Sequence, residues 1–427
     1  MGEPRSKKFF GWAQTKYGIS EIFEVNKYKQ KIDQQVISRG SGLSYGDAAL
    51  NSQNAIIYGN PKTSLNSFTY NEEKTSILVD GNVTVREVVN YLAEFNRTLI
   101  VVPGTSRATI AGCIAMNVHG KNHFNVGGFG DQVESFVLFN PLIGSYINCS
   151  RQKNSDLFDS TIGGLGLTGH ITKVELNTTP LKARALLVQK EFNNFGYVIE
   201  NIEKIRNENE NFIALINWNG KNLGAGFTNQ YRSVDGEFSR ISNPKNLLPI
   251  KFPFINKTSI KVYNSLFFSK TQDLQEVDYF KLCFMADQHK NANLWFGKKG
   301  FIEYQFALPD AKIEDAFQIA KKLSLENTIY LSGLKLLKKS ANGLLSFPIE
   351  GFTMTLTMKP TKDLLRSLSE IDEHILEIGG KIYLAKDDRL SSRVFMQMYP
   401  EVSKLQSIRQ KYNLNGISSD LSRRLQI

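Results

Sequence analysis

Three glycine-rich segments lie within the first 170 residues, and they constrain the fold more than any other feature of the chain. They span 39–47 (RGSGLSYGD), 103–121 (from PGT to HGK) and 163–169 (GGLGLTG). Glycine lets the backbone approach a phosphate closely, and successive N–H groups form a concavity that binds anions. One such loop alone is usually an ordinary turn, but three in one region indicate a site for a phosphate-bearing cofactor.

The third segment contains a G-x-G-x-x-G sequence at Gly164, Gly166 and Gly169. In a nicotinamide-binding Rossmann domain this motif follows a strand and opens a helix. Here apolar and charged residues alternate over 170–177, which predicts a strand instead. A Rossmann domain is therefore not expected.

Short apolar runs that end in glycine predict further strands in this region. They are QQVISRG (34–40), AIIYG (55–59), SILVDG (76–81) and TLIVVPG (98–104). A helix is predicted after the third run, because Thr84 and Glu87 form a capping box and apolar residues recur from Val85 at helical spacing.

The region from 301 to 387 alternates strands and helices. A strand (301–309), a helix (310–323) and a strand (328–337) are followed by a second strand (351–358), helix (361–380) and strand (381–387). This pattern predicts a ferredoxin-like βαβ unit and an α+β fold for the chain. The stretch 186–300 carries no clear motif.

One strand of that unit has a polar face. Thr353, Thr355 and Thr357 alternate with apolar residues, so this face meets either water or a polar ligand. Lys335 and Gln305, on the neighbouring strands, are expected to join it.

Lys and Arg outnumber Asp and Glu by 52 to 41, a net charge of +11. This excess suits an anionic partner or simply favours solubility, and its scattered distribution gives no nucleic-acid arm. Three widely spaced cysteines argue against disulfides and for a reducing compartment. No apolar run reaches the ~20 residues that span a bilayer. We expect a cytoplasmic protein without a metal site and leave peripheral contact with the inner membrane face open.

Taken together, the segments at 39–47, 103–105, 119–123 and 163–169 resemble the PCMH-type FAD domain of the vanillyl-alcohol-oxidase family of flavoproteins. Further motifs resemble the decaprenylphosphoryl-β-D-ribose oxidase branch of that family: GW (11–12), LKLL (334–337), SFP (346–348), YLAKDDR (383–389), MYP (398–400) and SSDLSRRL (418–425). The resemblance covers nearly the whole chain and is weakest across 186–300.

The resemblance implies a two-part FAD-binding domain, formed by 1–183 and a C-terminal segment 381–427 that returns to it. Residues 184–380 would form a substrate-binding cap domain with an antiparallel sheet. It also implies FAD-binding residues: Arg39, Gly40, Ser41, Gly42, Leu43, Ser44, Tyr45, Pro103, Gly104, Thr105, Thr109, Gly112, Ala115, Asn117, His119, Gly120, Gly166, Gly169, Ile171 and Tyr383.

The activity implied by the resemblance is oxidation of the 2′-hydroxyl of a polyprenylphosphoryl pentose to a ketone. A short-chain reductase partner would complete an epimerisation. Lys386 would lie beside the flavin as a base or as a stabiliser of charge, with His119 and Tyr45 as further catalytic candidates. The implied substrate-binding residues are Lys335, Gln305, Thr353, Thr355, Lys121 and Tyr383.

Two departures from the family pattern matter. Covalent members of the superfamily have histidine where this chain has Leu43, so we expect FAD to bind without a covalent bond. Mycobacterial relatives have cysteine at the position of Thr355, which puts the fit of the substrate in doubt.

Three alternatives stay open. The chain would also suit a sugar-lactone or alditol oxidase that uses O2, or a basic binding protein that keeps the fold without activity. The third alternative concerns Lys386 alone, which would be a solvated lysine at a strand end, paired with Asp387 or Asp388.

Overall fold

The computed structural model describes residues 6–29, 33–58, 68–220, 222–245, 253–256, 258–259 and 274–427. Gly59, the predicted end of one strand, lies outside them. Three sheets form within the described residues. The helices are Val85–Leu92, Ile110–Ala115, His123–Val126, Ser155–Thr161, Gly196–Glu208, Tyr279–Cys283, Ile313–Glu326, Lys362–Glu377, Ser392–Met398, Val402–Lys411 and Asp420–Leu425.

The first sheet joins an antiparallel hairpin to two parallel pairings. Its strands are β1 (Ser6–Phe10), β2 (Tyr17–Glu24), β3 (Val36–Ser38) and β4 (Ala55–Tyr58), in the order β1-β2-β4-β3. β3 and β4 are buried apolar runs, as expected for parallel strands, and the 39–47 loop leaves directly from the end of β3.

The second sheet is antiparallel and is built around one long strand. It contains β5 (Phe68–Asn71), β6 (Ser76–Asp80), β7 (Arg97–Leu99), β8 (Val133–Asn140), β9 (Ser145–Ser150) and β10 (His170–Pro180). β10 pairs with β6, β7 and β8. Because β10 begins immediately after Gly169, the prediction of a strand there, and not a Rossmann helix, is confirmed.

The predicted strand at 98–104 is shorter than expected, since β7 ends at Leu99. Beyond it, Gln132 replaces a neighbouring strand: its side-chain amide accepts from Val101 N at 3.0 Å and donates to Val101 O at 3.1 Å. The predicted capping box is confirmed, because Thr84 N donates to Glu87 Oε2 at 2.7 Å and Glu87 N donates to Thr84 Oγ1 at 3.3 Å.

The third sheet has eight antiparallel strands. They are β11 (Arg184–Phe192), β12 (Asn211–Asn217), β13 (Ala225–Val234), β14 (Gln275–Asp278), β15 (Ile302–Leu308), β16 (Leu331–Leu337), β17 (Gly351–Met358) and β18 (Lys381–Ile382). Their order is β14-β11-β13-β12-β16-β17-β15-β18. The last four strands form the predicted ferredoxin-like unit, and the α+β class is confirmed.

The first four strands of this sheet repeat the same arrangement. Within each half the fourth strand lies beside the first, followed by the third and the second. The sequence did not reveal this second unit. The two halves join where β12 pairs with β16, so both units contribute to one continuous face.

The predicted strand at 381–387 is wrong in extent, because β18 contains only Lys381 and Ile382. The next residue makes a last ladder bond, from Tyr383 N to Gln305 O at 2.9 Å. The chain then turns, with Lys386 N donating to Tyr383 O at 3.0 Å. Lys386 therefore lies in a turn and not on a strand.

The C-terminal segment contacts the first sheet. Val36 N donates to Gly416 O at 3.0 Å and Ser418 N donates to Val36 O at 2.9 Å. The boundaries at 183/184 and 380/381 stay predictions. None of the helices within the described residues is long and apolar enough to cross a membrane.

Candidate functional site

The ammonium of Lys386 lies between a carboxylate and an aromatic ring. Lys386 Nζ is 2.6 Å from Glu303 Oε1 and 3.3 Å from the centroid of the Tyr45 ring. Lys386 and Glu303 each expose only 17% of their side chains. The Tyr45 backbone is fixed beside them, because its N–H donates to Ala385 O at 2.9 Å. The 39–47 loop, β15 and the 383–386 turn thus meet at this point.

Electrostatics keep this lysine protonated. Burial lowers the pKa of Lys386, but the Glu303 carboxylate and the Tyr45 hydroxyl outweigh burial, and the pKa is raised overall. Burial, followed by the charge of Glu303, raises the pKa of Tyr45 against the opposing effect of Lys386. The phenol therefore stays protonated at neutral pH.

The alternative, a solvated Lys386 paired with Asp387 or Asp388, does not match the contacts in the structure. Asp387 Oδ2 lies 3.0 Å from Arg424 Nη2, and Asp388 accepts a hydrogen bond from Thr15. Lys386 pairs with Glu303 instead.

A second cluster links His119 to β15 and β17. Gln305 Nε2 lies 3.1 Å from His119 Nε2 and donates to Thr353 Oγ1 at 3.0 Å, and Thr353 Oγ1 donates to Phe306 O at 2.9 Å. Since the side-chain amide of Gln305 is the donor in this series of hydrogen bonds, Nε2 of His119 accepts and the ring proton is on Nδ1. That buried Nδ1 has no partner among the described residues. Burial and the nearby charge of Lys335 lower the pKa of His119 well below its usual value, so the imidazole is neutral.

Two further predicted lysines, Lys121 and Lys335, line one small cavity together with His119, Gly120 and Tyr279. Lys121 Nζ donates to Cys283 O at 2.8 Å, and burial lowers the pKa of Lys121. Burial, with the charges of Lys121 and Lys386, lowers the pKa of Lys335 to about 7. Lys335 has no acidic partner within the described ranges, so an anion bound here would be its natural counter-charge.

The remaining predicted substrate residues line the same sheet face. Thr355 Oγ1 is held by the backbone of Gly333, accepting from its N–H at 3.1 Å. Tyr383 is buried, and its ring centroid lies 5.1 Å from that of His119. The polar threonine face is thus covered by protein: Thr353 and Thr357 are buried on this face and Met354 on the other.

The first glycine-rich segment presents free backbone donors. Its ends are fixed, since Arg39 N donates to Ile57 O at 3.0 Å and Tyr45 N to Ala385 O. Across the described part of the chain, nothing accepts a hydrogen bond from the N–H groups of residues 40–44. The Arg39 guanidinium braces the loop from behind by donating to Ala49 O and Phe10 O. Gly42 has φ +69°, which favours glycine.

The second segment approaches the first closely. A Cβ at Gly40 would lie 2.4 Å from Thr109 Oγ1, and that hydroxyl caps the next helix by accepting from Gly112 N at 3.2 Å. A Cβ at Gly104 would meet nothing within 4 Å, so the backbone there faces open space. Asn117 is buried and accepts from Gly130 N at 2.9 Å, which makes it a scaffold for the 117–120 turn.

Part of the second segment binds a carboxylate of the protein, that of Asp287. Ser106 N donates to Asp287 Oδ2 at 2.6 Å, Arg107 Nε lies 3.1 Å from Asp287 Oδ1, and Thr105 donates its hydroxyl hydrogen to the same carboxylate. The Thr105 hydroxyl is therefore engaged by Asp287. No motif in the sequence pointed to Asp287.

The third segment is mainly scaffold. Gly163 N donates to Ile114 O and Leu165 N to Ala115 O, both at 2.8 Å, so the segment packs on the helix Ile110–Ala115. Gly166 has φ +76° and is half-buried, whereas Gly169 and Ile171 are buried.

These features fit an extended dinucleotide. A row of free N–H groups suits a pyrophosphate, the open face at Gly104 leaves room for it, and the unpartnered Nδ1 of His119 needs an acceptor.

Residues 19–150 match the family model described as "FAD binding domain". Together with the geometry, this match defines the chain as a flavoprotein that binds FAD and acts as an FAD-dependent oxidoreductase. The predicted relation to the vanillyl-alcohol-oxidase type of flavoproteins is confirmed, and the alternative of a non-catalytic binding protein is set aside.

Individual relatives agree with this class. The chain is 27% identical to decaprenylphosphoryl-beta-D-ribose oxidase of Mycolicibacterium smegmatis, over 99% of this chain and 98% of that one. It is 25% identical to D-arabinono-1,4-lactone oxidase of Candida albicans, over 46% of this chain and 36% of that one. It is 42% identical to cytokinin dehydrogenase 1 of Oryza sativa subsp. japonica, over 12% and 10% of the two chains.

Sequence reasoning missed Glu303 as a site residue. Its signal was present, because Glu303 lies two residues before Gln305 on the same strand and therefore on the same face. A charged residue in an otherwise apolar strand is the pattern that points to it.

Proposed function

We propose that the protein oxidises the 2′-hydroxyl of a polyprenylphosphoryl pentose to a ketone, the first half of an epimerisation that a short-chain reductase completes. The observation that carries the proposal is the meeting of Lys386, Tyr45 and His119 beside the cofactor segments, with an unpaired lysine nearby. Similarity to a ribose oxidase over almost the full length of both chains supports the choice of substrate class.

FAD, when bound, would accept the hydride of the alcohol carbon with its two electrons. The proton of the hydroxyl group would pass to solvent, since Lys386 and Tyr45 stay protonated and Nε2 of His119 already accepts from Gln305. The chain's contribution is positioning and charge. Lys386 carries a fixed positive charge into a site where negative charge develops during the transfer, and such preorganised charge lowers the barrier. His119 is held neutral, with Nε2 accepting from Gln305 and Nδ1 as a donor. Tyr45 shields Lys386 from water with its ring.

Lys335 is the proposed anchor for the phosphate. It lines the same cavity as Lys121. Lys121 donates to Cys283 O, whereas Lys335 has no acidic partner within the described ranges. An anionic phosphate would raise the lowered pKa of Lys335 and bind its ammonium form. This pairing would orient the pentose toward Lys386.

Anaerobic mixing of the FAD-loaded protein with substrates tests the proposal. A short-chain prenylphosphoryl pentose should bleach the flavin band, and the free pentose should do so much less. A sugar-1,4-lactone or alditol that bleaches the flavin faster than the prenylphosphoryl pentose would replace the proposal with the lactone-oxidase alternative, which the partial match to an arabinono-lactone oxidase supports.

A lipid-linked substrate also calls for contact with a membrane, and we propose the outer face of the β1–β2 hairpin for it. Tyr17 and Ile19 are 58% and 54% exposed, and Lys8 Nζ lies 3.8 Å over the Tyr17 ring. Aromatic, aliphatic and basic groups together suit an anionic lipid surface. Sedimentation with phosphatidylglycerol vesicles should weaken in Ile19→Ser and stay unchanged in Ile143→Ser, which alters a residue that is 60% exposed in the turn between β8 and β9.

A further inference from the structure

Two lysines in one site have opposite electrostatic environments. Lys386 and Lys335 are both largely buried, and the charge of Lys386 helps to lower the pKa of Lys335. The pKa of Lys335 falls to about 7, whereas the pKa of Lys386 rises. The strongest influence that raises the pKa of Lys386 is Glu303, which lies 2.6 Å from it and, within the described residues, makes no ion pair with Lys335.

Glu303 is well placed to fix that lysine. It projects from β15 on the same face as Gln305, and Thr357 Oγ1 on β17 donates to Glu303 Oε2 at 3.5 Å. Its other oxygen receives Lys386, whose ammonium lies over the ring of Tyr45. The groups that face this carboxylate are therefore Lys386 from the 383–386 turn, Tyr45 from the 39–47 loop, Lys335 from β16 and Thr357 from β17.

We propose that Glu303 is a positioning residue that keeps Lys386 as an ammonium over Tyr45, so that Lys386 stabilises charge and does not serve as the base. Asp387 and Asp388, which follow Lys386 in sequence, do not share this role. Asp387 pairs with Arg424, and Asp388 accepts from Thr15. This inference rests on the proposed function for its catalytic meaning, but the charge state of Lys386 is measurable without any substrate.

The first test measures that charge state in the FAD-loaded full chain. Trace acetylation with acetic anhydride is followed by mass spectrometry across pH 6–11 for wild type, Glu303→Gln and Glu303→Asp. Only a neutral amine reacts, so the pH profile of acetylation at Lys386 reports its protonation. Glu303→Gln should move the profile down by about one pH unit or more, which is about tenfold more reaction at a fixed alkaline pH. Glu303→Asp should restore most of the wild-type profile.

The matched control is Glu350→Gln, which removes an exposed carboxylate 3.8 Å from Arg206 that does not contribute to the pKa shift of Lys386. It should leave the acetylation of Lys386 as in wild type. Equal profiles at Lys386 in wild type and Glu303→Gln, including no acetylation in either, would overturn the proposal.

The second test uses flavin reduction by the proposed substrate. In wild type the rate should be constant from pH 7 to 9, because Lys386 stays charged. In Glu303→Gln it should fall as the pH rises through that range, with kcat affected more than KM. A flat profile at the wild-type rate would overturn the positioning role. If acetylation shifts as expected but no prenylphosphoryl pentose reduces the flavin, the proposed function fails and the role of Glu303 stands.

Discussion

The imidazole of His119 accepts a hydrogen bond from the side-chain amide of Gln305 across 3.1 Å. The same amide nitrogen of Gln305 also donates to Thr353 Oγ1 on β17, which fixes its orientation as the donor toward His119. His119 thus meets the cofactor segments as a neutral ring that has its proton on Nδ1. This arrangement makes His119 a hydrogen-bond donor and not a general base at neutral pH.

His119 should stay neutral across the range in which most histidines titrate. Burial and the charges of Lys335, His123 and Lys386 all lower the pKa of His119. The chain has five histidines, so ¹⁵N-histidine spectra are simple, and the His119→Gln variant assigns its signal. Between pH 5 and 8 this signal should not shift. Titration near pH 6.5 would show that the ring is solvated and that its proposed role is wrong.

Replacing Lys386 should affect both rate and stability. Lys386→Met should slow flavin reduction on the order of 10²-fold, the scale of one electrostatic contact in a transition state. It should also lower Tm, because Glu303 loses its partner. The double variant Lys386→Met/Glu303→Gln should recover Tm without recovering the rate. A single variant that reduces its flavin within a few-fold of wild type would remove Lys386 from the chemistry.

Lys335 should weaken the fold at neutral pH. The pKa of this lysine is ~10.4 in an unfolded chain and about 7 in the folded protein. Between these values the unfolded chain binds more protons, so stability rises with pH across this window and is lowest near and below pH 7. Lys335→Met should therefore stabilise the protein at pH 7, on the order of 1–3 kcal/mol, and the gain should shrink toward pH 10.

The control for this prediction is Lys339→Met, since Lys339 is exposed on the same segment. It should give no pH-dependent gain. The Lys335 variant should also weaken binding of the phosphorylated substrate more than it slows flavin reduction. An equal gain in Tm at pH 7 and pH 10 would mean that the lysine is charged in the folded protein.

FAD should be held without a covalent bond. Residue 43 is leucine, and the 39–47 loop presents backbone N–H groups and contains no histidine or cysteine. Acid precipitation of the purified protein should therefore leave yellow flavin in the supernatant. Colour that stays in the pellet would show a covalent link elsewhere in the chain.

Local signals in the sequence predicted much of this structure. Local spacing predicted the capping box at Thr84, and local alternation predicted the strand after Gly169 and the strand from Thr353 to Met358. All three are confirmed. The segment 184–278 was not recognised, because its helix begins at Gly196 without a side-chain cap and has a weak apolar stripe. Long-range pairings such as Glu303 with Lys386, 83 residues apart, leave no periodic trace.

The contacts of Asp287 are a second example of long-range pairing that local sequence patterns do not predict. It lies in a short 3-10 turn that carries no motif, yet its carboxylate holds Ser106 N and Arg107 from 181 and 180 residues away. Contacts of this kind depend on how sheets pack, which composition and spacing do not encode locally. The turn at Lys386 was likewise predicted as a strand. The contacts that hold this turn come from distant parts of the chain, since Tyr45 N donates to Ala385 O and Tyr383 N donates to Gln305 O.

Arg424 should be the most sensitive position of the C-terminal segment. Its guanidinium binds Asp47 through two nitrogens at 2.9 Å, contacts Asp387 at 3.0 Å and donates to Leu390 O at 2.7 Å. Asp47 and Asp387 are buried, so Arg424→Met leaves two carboxylates without their partner, at a cost of about 3–5 kcal/mol. Arg424→Lys should recover only part of this loss, because one ammonium cannot make the two-nitrogen contact. Arg393→Met is the matched control, since Arg393 pairs with Glu373 and is 63% exposed, and it should change stability by less than about 1 kcal/mol. Urea unfolding measures all three variants.

Arg424→Met should also weaken FAD binding, because Asp387 follows Lys386 and Asp47 closes the 39–47 loop. An Arg424→Met protein that is as stable as the control would show that the C-terminal segment does not support the site.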